Sequence, residues 1–381
     1  MARILTCHNQ NQLAEAAAEA KGHFQAGELV VFRTETVYGV GALATSDEGI
    51  QKLRRLKQRS DDKPFTLHVP EAEQLGNYLD LEQDPVLERL VRKALPGPLT
   101  VVTSVSQEAI DKKMSALGLD EATRDRIYHK GTVGIRCPHD PVAVAVLEAA
   151  GGPVVASSAN EADQKPPIDG EAAAEAIGDR VALIVDAGPA SYGEASTVVR
   201  VQDGRVQVLR EGVLSESDVQ RFPMKTLLFV CSGNTCRSPM AEAIARSELA
   251  DRLGVEAGEL ESSGHTVLSA GAFAMPGMPM TNEAMAALRS LKIDPGRHES
   301  RSLSPSLIQQ ADRIYCMTNS HLMTVRSMAP WAFDKVELLG PSGESVDDPI
   351  GGSDEVYLQC ARQLQGMIRQ RLDGLVPSND S

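Results

Sequence analysis

Leu228-Phe-Val-Cys-Ser-Gly-Asn-Thr-Cys-Arg-Ser-Pro-Met240 is the stretch on which the reading of the chain turns. Three apolar residues lead into Cys231, a polar loop follows, and Arg237 closes it. Met240-Ala-Glu-Ala-Ile-Ala-Arg246 then reads as a helix. A strand, a tight loop and a helix N-terminus make an anion cradle, because loop N–H groups converge on one point and the helix dipole favours negative charge there. A cysteine in that field is expected to have a low pKa and to be a ready nucleophile. Arg237 can clamp two phosphoryl oxygens in a bidentate way.

The chain around this stretch is 381 residues long, which suggests two or three domains. Its net charge of −14 argues against a general nucleic-acid-binding surface, although a local basic patch remains open. No apolar run is long enough to span a membrane, and the first residues lack the apolar segment of a signal peptide, so a cytoplasmic, non-membrane protein is expected. The six cysteines, at 7, 137, 231, 236, 316 and 360, show no zinc-type spacing.

After Cys231 the sequence alternates strand and helix. Strands are expected over 225–230, 266–272, 311–318 and 335–339, and helices over 239–253, 282–291, 319–328 and 354–372. Four strands alternating with helices fit a doubly wound four-stranded parallel sheet, with the Cys231 loop at the carboxyl end of the first strand, where such folds bind ligands.

The amino-terminal part reads as a separate α/β domain with many strands and intervening helices. Residues 11–21 are rich in helix formers, and Gly22 and Gly27 are expected to interrupt them. Strands are expected around 29–32, 63–69, 99–102, 132–138, 153–160 and 182–188. Residues 196–201 and 206–212 read as a hairpin turning at Asp203-Gly204. The basic run Lys52–Arg59 reads equally as a solvated helix face or, with Lys57, Arg59 and Lys63 around one turn, as a polyanion site. The charged segment 105–130 reads as helical and can be a lid, a partner surface or decoration. The expected mouth of the domain is lined by Thr34, Lys57, Arg59, Lys63, Arg136, Ser157, Asn160, Ser196 and Arg210. Ser215–Gln220 reads as a short capped helix in a linker over 216–224, between domains at 1–215 and 225–381.

Thr34-Glu-Thr-Val-Tyr-Gly, Lys57-Gln-Arg with Lys63-Pro-Phe, Pro96-Gly-Pro-Leu-Thr, Ser157-Ser-Ala-Asn, Ser196-Thr-Val-Val and Leu209-Arg-Glu-Gly follow the order of the YrdC-like threonylcarbamoyl-AMP synthases. Over about residues 10–212 the chain resembles that family. The resemblance implies an α/β fold with a large concave cavity. It implies reaction of L-threonine, bicarbonate and ATP, carried with Mg2+, to give threonylcarbamoyl-AMP, pyrophosphate and water. The product would pass to a transferase complex that modifies adenosine in tRNA, with possible RNA contact by this domain. Carried over residue by residue, Thr34, Lys63, His68, Arg136 and Ser157 fall at the threonine and carbamoyl site, and Lys57, Arg59, Asn160, Ser196 and Arg210 at the nucleotide. Without the resemblance His68 reads as a strand histidine facing solvent. Arg33 stands where the family usually has proline, and a regulatory or RNA-binding module without synthesis is the alternative reading.

The second half resembles the low-molecular-weight protein phosphatases, which share their fold with thioredoxin-coupled arsenate reductases. The resemblance rests on the Cys231-x5-Arg237-Ser238 loop, Ser269-Ala-Gly, His298-Glu-Ser-Arg301, Met317-Thr-Asn-Ser-His321 and Asp347-Asp-Pro349. It implies a loop of Ser232, Gly233, Asn234, Thr235 and Cys236 around a phosphoryl group, with no cofactor. Cys231 would attack phosphorus, Arg237 hold oxygens, Ser238 support the thiolate, Asn234 brace the loop, and Asp348 act as acid and base, with Asp347 as the nearby alternative. Phosphoprotein substrates are implied. Thr235 resembles the protein-arginine phosphatases, whereas Ile350 departs from the aromatic residue of both subgroups, so phosphoarginine stands slightly ahead of phosphotyrosine. An arsenate-reductase or redox-sensor reading needs further redox cysteines, and Cys316 and Cys360, the latter between Val356 and Leu364, read as core residues. Cys236 is either a reversible disulfide partner of Cys231 or a small loop filler.

Overall fold

The computed structural model describes residues 1–60, 64–162 and 164–376. The chain divides into two compact units, one ending at Pro223 and the other beginning at Met224. Among the described residues no helix is long and apolar enough to cross a membrane.

The first unit carries β1 (Arg3–Thr6), β2 (Val30–Arg33), β3 (Tyr38–Leu43), β4 (Thr66–His68), β5 (Leu99–Ser104), β6 (Thr132–Arg136), β7 (Val154–Ser158), β8 (Leu183–Asp186), β9 (Thr197–Gln202) and β10 (Arg205–Arg210). They form a ten-stranded sheet in the order β1-β8-β2-β3-β7-β4-β6-β5-β9-β10. The sheet is mixed: β1 and β2 run parallel to β8, β4 to β6 and β5 to β9, while the other neighbours are antiparallel. Alternate side chains of β2 enter different cores. Val31 packs with Leu67, Val101 and Ile184, and Val30 and Phe32 pack with Phe24 and Val146. This two-faced burial is why the strands read as apolar runs rather than as strict alternation.

The first helix, Gln10–Gln25, does not stop at Gly22 as its sequence suggests. Ala16, Ala20 and Phe24 form one buried stripe that continues past the glycine. A glycine in a helix interior costs about 1 kcal/mol relative to alanine, less than full burial of a phenylalanine returns. The segment 105–130 is neither lid nor decoration: its helices Gln107–Ala116 and Glu121–Ile127 place Ile110, Met114, Ile127 and Tyr128 in the main core. The Tyr128 hydroxyl donates to the Tyr78 carbonyl at 2.8 Å. The hairpin turns where expected, with Asp203 and Gly204 both left-handed at φ 52° and 68°, as a two-residue type I′ turn requires. Helix Glu216–Arg221 closes the unit with a reciprocal Ser215/Asp218 capping box, and Val219 is fully buried in the first core.

The second unit carries β11 (Lys225–Cys231), β12 (His265–Gly271), β13 (Arg313–Cys316) and β14 (Val336–Leu338). These form a four-stranded sheet, β12-β11-β13-β14, with every pair parallel. Leu227 and Phe229 of β11 face one core and Leu228 and Val230 the other. Helices Arg237–Leu253, Asn282–Ser290, Asn319–Met328 and Asp354–Asp373 form as expected, and a further short one, Pro305–Gln310, lies before β13.

Gly271, the last residue of β12, touches the loop that follows β11. A Cβ there would lie 2.5 Å from the Ser232 carbonyl oxygen and 2.9 Å from the Asn234 nitrogen. Neither backbone atom can move without unravelling the loop. Gly271→Val is therefore expected to destabilise the second unit by at least about 2 kcal/mol, measured by denaturant unfolding of the full chain. An unchanged midpoint for that unit would contradict the packing described.

Candidate active sites

Residues 231–237 turn from the carboxyl end of β11 into helix Arg237–Leu253. Cys231 is 3% exposed. Its sulfur lies 2.9 Å from the Ser238 hydroxyl and accepts from the Asn234 backbone N–H at 3.3 Å. Asn234 is fully buried at φ 56°, a conformation asparagine tolerates better than other side-chain-bearing residues. Its side-chain amide donates to Ser238 Oγ at 2.9 Å and Ser269 Oγ at 2.8 Å, and its side-chain oxygen accepts the Arg301 N–H at 2.8 Å. Its own carbonyl bonds to His298 Nε2 at 2.7 Å. Ser269 in turn donates to Glu242 at 2.6 Å. The left-handed turn is therefore over-determined by side chains from three other segments.

Arg237 is buried, and its guanidinium donates to the Val346 carbonyl at 3.0 Å and to Asp348 Oδ2 at 2.5 Å. Asp348 is the partly exposed member of that pair, with 41% of its side chain accessible. It is Asp348, not Asp347, that bonds to Arg237. Ile350, 68% exposed, donates its backbone N–H to Asp348 Oδ1 at 3.3 Å. Thr235 accepts the Thr281 N–H on its carbonyl at 3.0 Å. Cys236 packs beneath the loop, its sulfur 3.4 Å from the Tyr357 hydroxyl and 3.7 Å from that of Thr281. All six cysteines are free thiols. Burial pushes the thiols of Cys316 and Cys360 up to about 12, which leaves them inert at neutral pH. Leu364 is buried beside Cys360, but Val356, expected on its other side as an apolar neighbour, is 45% exposed.

His321 was present in a quoted motif but not among the expected site residues. It bonds through Nε2 to Ser232 Oγ and through Nδ1 to Thr318 Oγ1, both at 2.9 Å. Both partners are hydroxyls, so each can donate to the ring or accept from it. Burial, with Arg237 nearby, pushes its pKa down to about 4.

The residues expected to line the first unit's mouth fall into three groups. Arg136, at the end of β6, is buried with Glu35 in an ion pair of 2.8 Å and also donates to Thr36 Oγ1 at 2.7 Å and Thr34 Oγ1 at 3.4 Å. Glu35 Oε2 accepts the His139 N–H at 3.1 Å. Arg136 Nε has no hydrogen-bond partner although buried. His68 stands beside Arg136 in register and is 7% exposed, not solvent-facing. Its Nδ1 bonds to the Thr66 carbonyl at 3.0 Å, so Nε2 carries the lone pair. Burial and then Arg136 hold its pKa down at about 3.

In the second group, Lys57 Nζ donates to the carbonyls of Ser158 and Asn160 at 3.0 and 2.6 Å and to Asn160 Oδ1 at 3.2 Å. Burial, then Arg59, lowers its pKa to about 8. Arg59 lies over the Phe65 ring at 5.0 Å and donates to the Pro64 carbonyl at 2.9 Å. Lys63 lies outside the described residues. Ser157 is half-buried on β7, opposite Val40. The third group joins Ser196, bonded to Thr100 at 3.0 Å, with Arg210, which donates to the Ser196 carbonyl at 2.7 Å. Burial and then Arg136 lower the pKa of Arg210, which links this group electrostatically to the first. Gly212 lets the chain cross here, since a Cβ would lie 2.1 Å from the Ala195 carbonyl oxygen. Arg33, the departure from the family pattern, pairs with Asp140 at 3.0 Å and bonds to the Ala187 carbonyl. Glu35, Thr36 and Thr100 were not singled out from sequence, although all three lie inside quoted fragments.

Among the described residues no group of three or more His, Cys, Asp or Glu side chains is arranged to hold a metal.

Comparison with known proteins agrees with this division. Residues 23–212 match the Sua5/YciO/YrdC family, described as telomere recombination, and residues 226–378 match the low molecular weight phosphotyrosine protein phosphatase family. The chain is 32% identical over 212 residues to the threonylcarbamoyl-AMP synthase of Bacillus subtilis, covering 56% of this chain and 56% of that protein. It thus spans about half the length of that relative. It is 33% identical over 215 residues to a Mycobacterium tuberculosis protein provisionally described as a threonylcarbamoyl-AMP synthase, covering 56% of this chain and 92% of that one. Over 148 residues it is 38% identical to the protein-arginine-phosphatase of Bacillus subtilis, covering 38% of this chain and 92% of that one. The chain belongs to both families: an amino-terminal YrdC/Sua5-like domain is fused to a carboxy-terminal domain of the low-molecular-weight phosphatase type.

The buried His321 has a consequence for stability. Its folded pKa, about 4, lies below the unfolded value, so between roughly pH 6.5 and 4 the unfolded chain binds the extra proton. The second unit is expected to lose stability, on the order of 2 kcal/mol, as pH falls through that window. His321→Gln should flatten this part of the profile in pH-dependent denaturant unfolding. A wild-type profile level from pH 7 to 4 would rule the assignment out.

Proposed function

We propose that the second unit is a cysteine-dependent protein phosphatase. Cys231 as thiolate attacks phosphorus, and the loop N–H groups with Arg237 hold the phosphoryl oxygens. Asp348 protonates the departing atom and then takes a proton from the water that hydrolyses the phosphocysteine. Ser238 donates to the sulfur in its ionised form. The observation that carries this reading is the Cys231 sulfur bracketed by Ser238 Oγ and the Asn234 N–H, with Arg237 bonded to Asp348 at 2.5 Å.

The preferred substrate is phosphoarginine in protein, ahead of phosphotyrosine. Thr235 beside Cys236 and the identity to a protein-arginine-phosphatase support this choice.

The first unit makes threonylcarbamoyl-AMP from L-threonine, bicarbonate and ATP, for transfer to adenosine in tRNA by a separate complex. Its identity to the named synthases supports the reaction. The residues proposed toward threonine and the carbamoyl end are Thr34, Lys63, His68, Arg136 and Ser157, and toward the nucleotide Lys57, Arg59, Asn160, Ser196 and Arg210. Attack of a carbamate oxygen on the α-phosphate develops charge that such cations stabilise.

Two measurements on the full chain test these readings. Hydrolysis of a phosphoarginine peptide should exceed that of the matching phosphotyrosine peptide, vanish in Cys231→Ser and fall by about 10^2-fold or more in Asp348→Asn. Faster hydrolysis of phosphotyrosine would reverse the substrate choice, and full activity in Cys231→Ser would end the mechanism. Pyrophosphate release from ATP should require both threonine and bicarbonate and drop at least about tenfold in Lys57→Ala. Release that ignores threonine would remove the synthase reading.

A further inference from the structure

Arg33 ends β2, immediately before Thr34, and belongs to neither group of substrate-binding residues assigned above. Its guanidinium reaches two segments at once. Nε donates to Asp140 Oδ2 at 3.0 Å, and a terminal nitrogen donates to the Ala187 carbonyl. Asp140 uses its other oxygen to accept the Val142 and Ala143 N–H groups at 2.8 and 3.3 Å, which caps helix Pro141–Ala149. Ala187 opens the loop that follows β8. The Tyr38 hydroxyl fastens the same spot, 2.7 Å from the Gly188 carbonyl oxygen and 3.2 Å from the Ala187 nitrogen. Tyr38 is the cross-strand partner of Arg33.

Glu35, on the other side of Thr34, holds the same two segments. Its Oε2 accepts the His139 N–H at 3.1 Å, and its backbone carbonyl accepts the Tyr192 N–H at 2.8 Å. Its Oε1 pairs with Arg136 at 2.8 Å. Segments 139–140 and 187–192 are therefore gripped by Arg33 from one side of Thr34 and by Glu35 from the other. Thr34 between them is 2% exposed. Its hydroxyl donates to the Val37 carbonyl at 2.6 Å and stands 3.4 Å from the Arg136 guanidinium, a long contact that a small displacement would break. The cations proposed toward the nucleotide are held by other parts of the chain: Lys57 by Ser158 and Asn160, Arg59 by Pro64, and Arg210 by Ser196.

We propose that Arg33 is a positioning residue for the amino-acid side of the first unit's site. By tying the Asp140 and Ala187 segments together beside Thr34, it sets where Thr34, Glu35 and Arg136 stand toward threonine, and it leaves the nucleotide side untouched. The inference rests on the synthase reading above and adds to it a residue outside the family pattern. A proline at this place fixes its own φ and brings no donor, so it stiffens β2 but cannot bridge two other segments. Arginine bridges them with a planar fork whose bonds fix direction as well as distance. The pair with Asp140 is mostly buried, at 21% and 4% side-chain exposure. Loss of the guanidinium thus leaves a poorly compensated carboxylate, and the 139–140 turn relaxes around it. That movement passes to Glu35 through the His139 N–H, and from Glu35 to Arg136.

The test measures pyrophosphate release from ATP by the full chain, with threonine and bicarbonate present, in Arg33→Ala, Arg33→Lys and Asp140→Asn. In Arg33→Ala, KM for threonine is expected to rise at least about fivefold, with kcat within about threefold and KM for ATP within about twofold of wild type. That is the pattern of lost binding rather than lost chemistry. Arg33→Lys keeps the charge but not the fork, so its threonine KM should fall between those of the alanine variant and wild type. In Asp140→Asn the side-chain oxygen still caps the helix while the amide nitrogen meets the guanidinium, and threonine KM should rise again. Combining it with Arg33→Ala should add no more than about twofold, because the two residues act as one pair. A merely structural role for Arg33 would lower kcat through the folded fraction and leave both KM values alone. That result, a joint rise of both KM values, or an additive double variant overturns the inference while the synthase reading stands. Wild-type release that ignores threonine overturns both.

Discussion

The second unit depends on one asparagine held in a backbone conformation that its neighbours must maintain. Asn234 sits at φ 56° with every side-chain bonding group committed: two donors to serine hydroxyls and an oxygen to the Arg301 N–H. A left-handed residue costs on the order of 1 kcal/mol or more, and persists where surroundings over-determine it. That cost turns the Asn234 N–H toward the Cys231 sulfur. The same network recruits Ser269 from β12 and Ser238 from the following helix, so the sheet and helix that build the unit also set the loop. Gly271 belongs to this arrangement, since only a residue without Cβ lets β12 end against the Ser232 carbonyl.

The first unit solves a different problem, that of collecting cations in a buried place. Arg136 is paired with Glu35 where both side chains are nearly inaccessible, at 6% and 5% exposure. Removing either partner would strand a charge, a loss of several kcal/mol. Lys57 instead donates to three uncharged oxygens, and burial, with Arg59 nearby, makes its ammonium the more easily neutralised. Desolvated cations next to backbone carbonyls are poorly compensated until an anion comes near, which is the physical sense in which such a group suits a polyphosphate.

Much of this was legible from residues close in sequence. The strand into Cys231, the turn at Asp203-Gly204 and the Ser215 capping box are local signals, and each forms where its residues indicate. β1 was not legible: Arg3–Thr6 becomes a strand only by pairing with β8, far along the chain. Glu35 and Thr36 sit inside a recognisable fragment, yet their partner is Arg136, a hundred residues away, and only folding makes them a cluster. Of the readings open for 105–130, decoration overlooked the packing, because the charges are on the surface whereas Ile110, Met114 and Tyr128, spaced among them, lie in the main core. His321 was passed over because its importance lies in a bond to Ser232 across the sheet.

Arg237 illustrates how an anion site can hold its own counter-ion. Its guanidinium is already engaged by the Asp348 carboxylate and the Val346 carbonyl. An arriving dianion therefore exchanges one negative partner for another rather than neutralising a bare cation. The net electrostatic gain is the difference between two similar pairings, so retention of a simple anion is tempered. The exchange also frees Asp348 at the moment an anion takes its place on the guanidinium. On the phosphatase reading proposed above, the swap ties release of the carboxylate to occupation of the cradle.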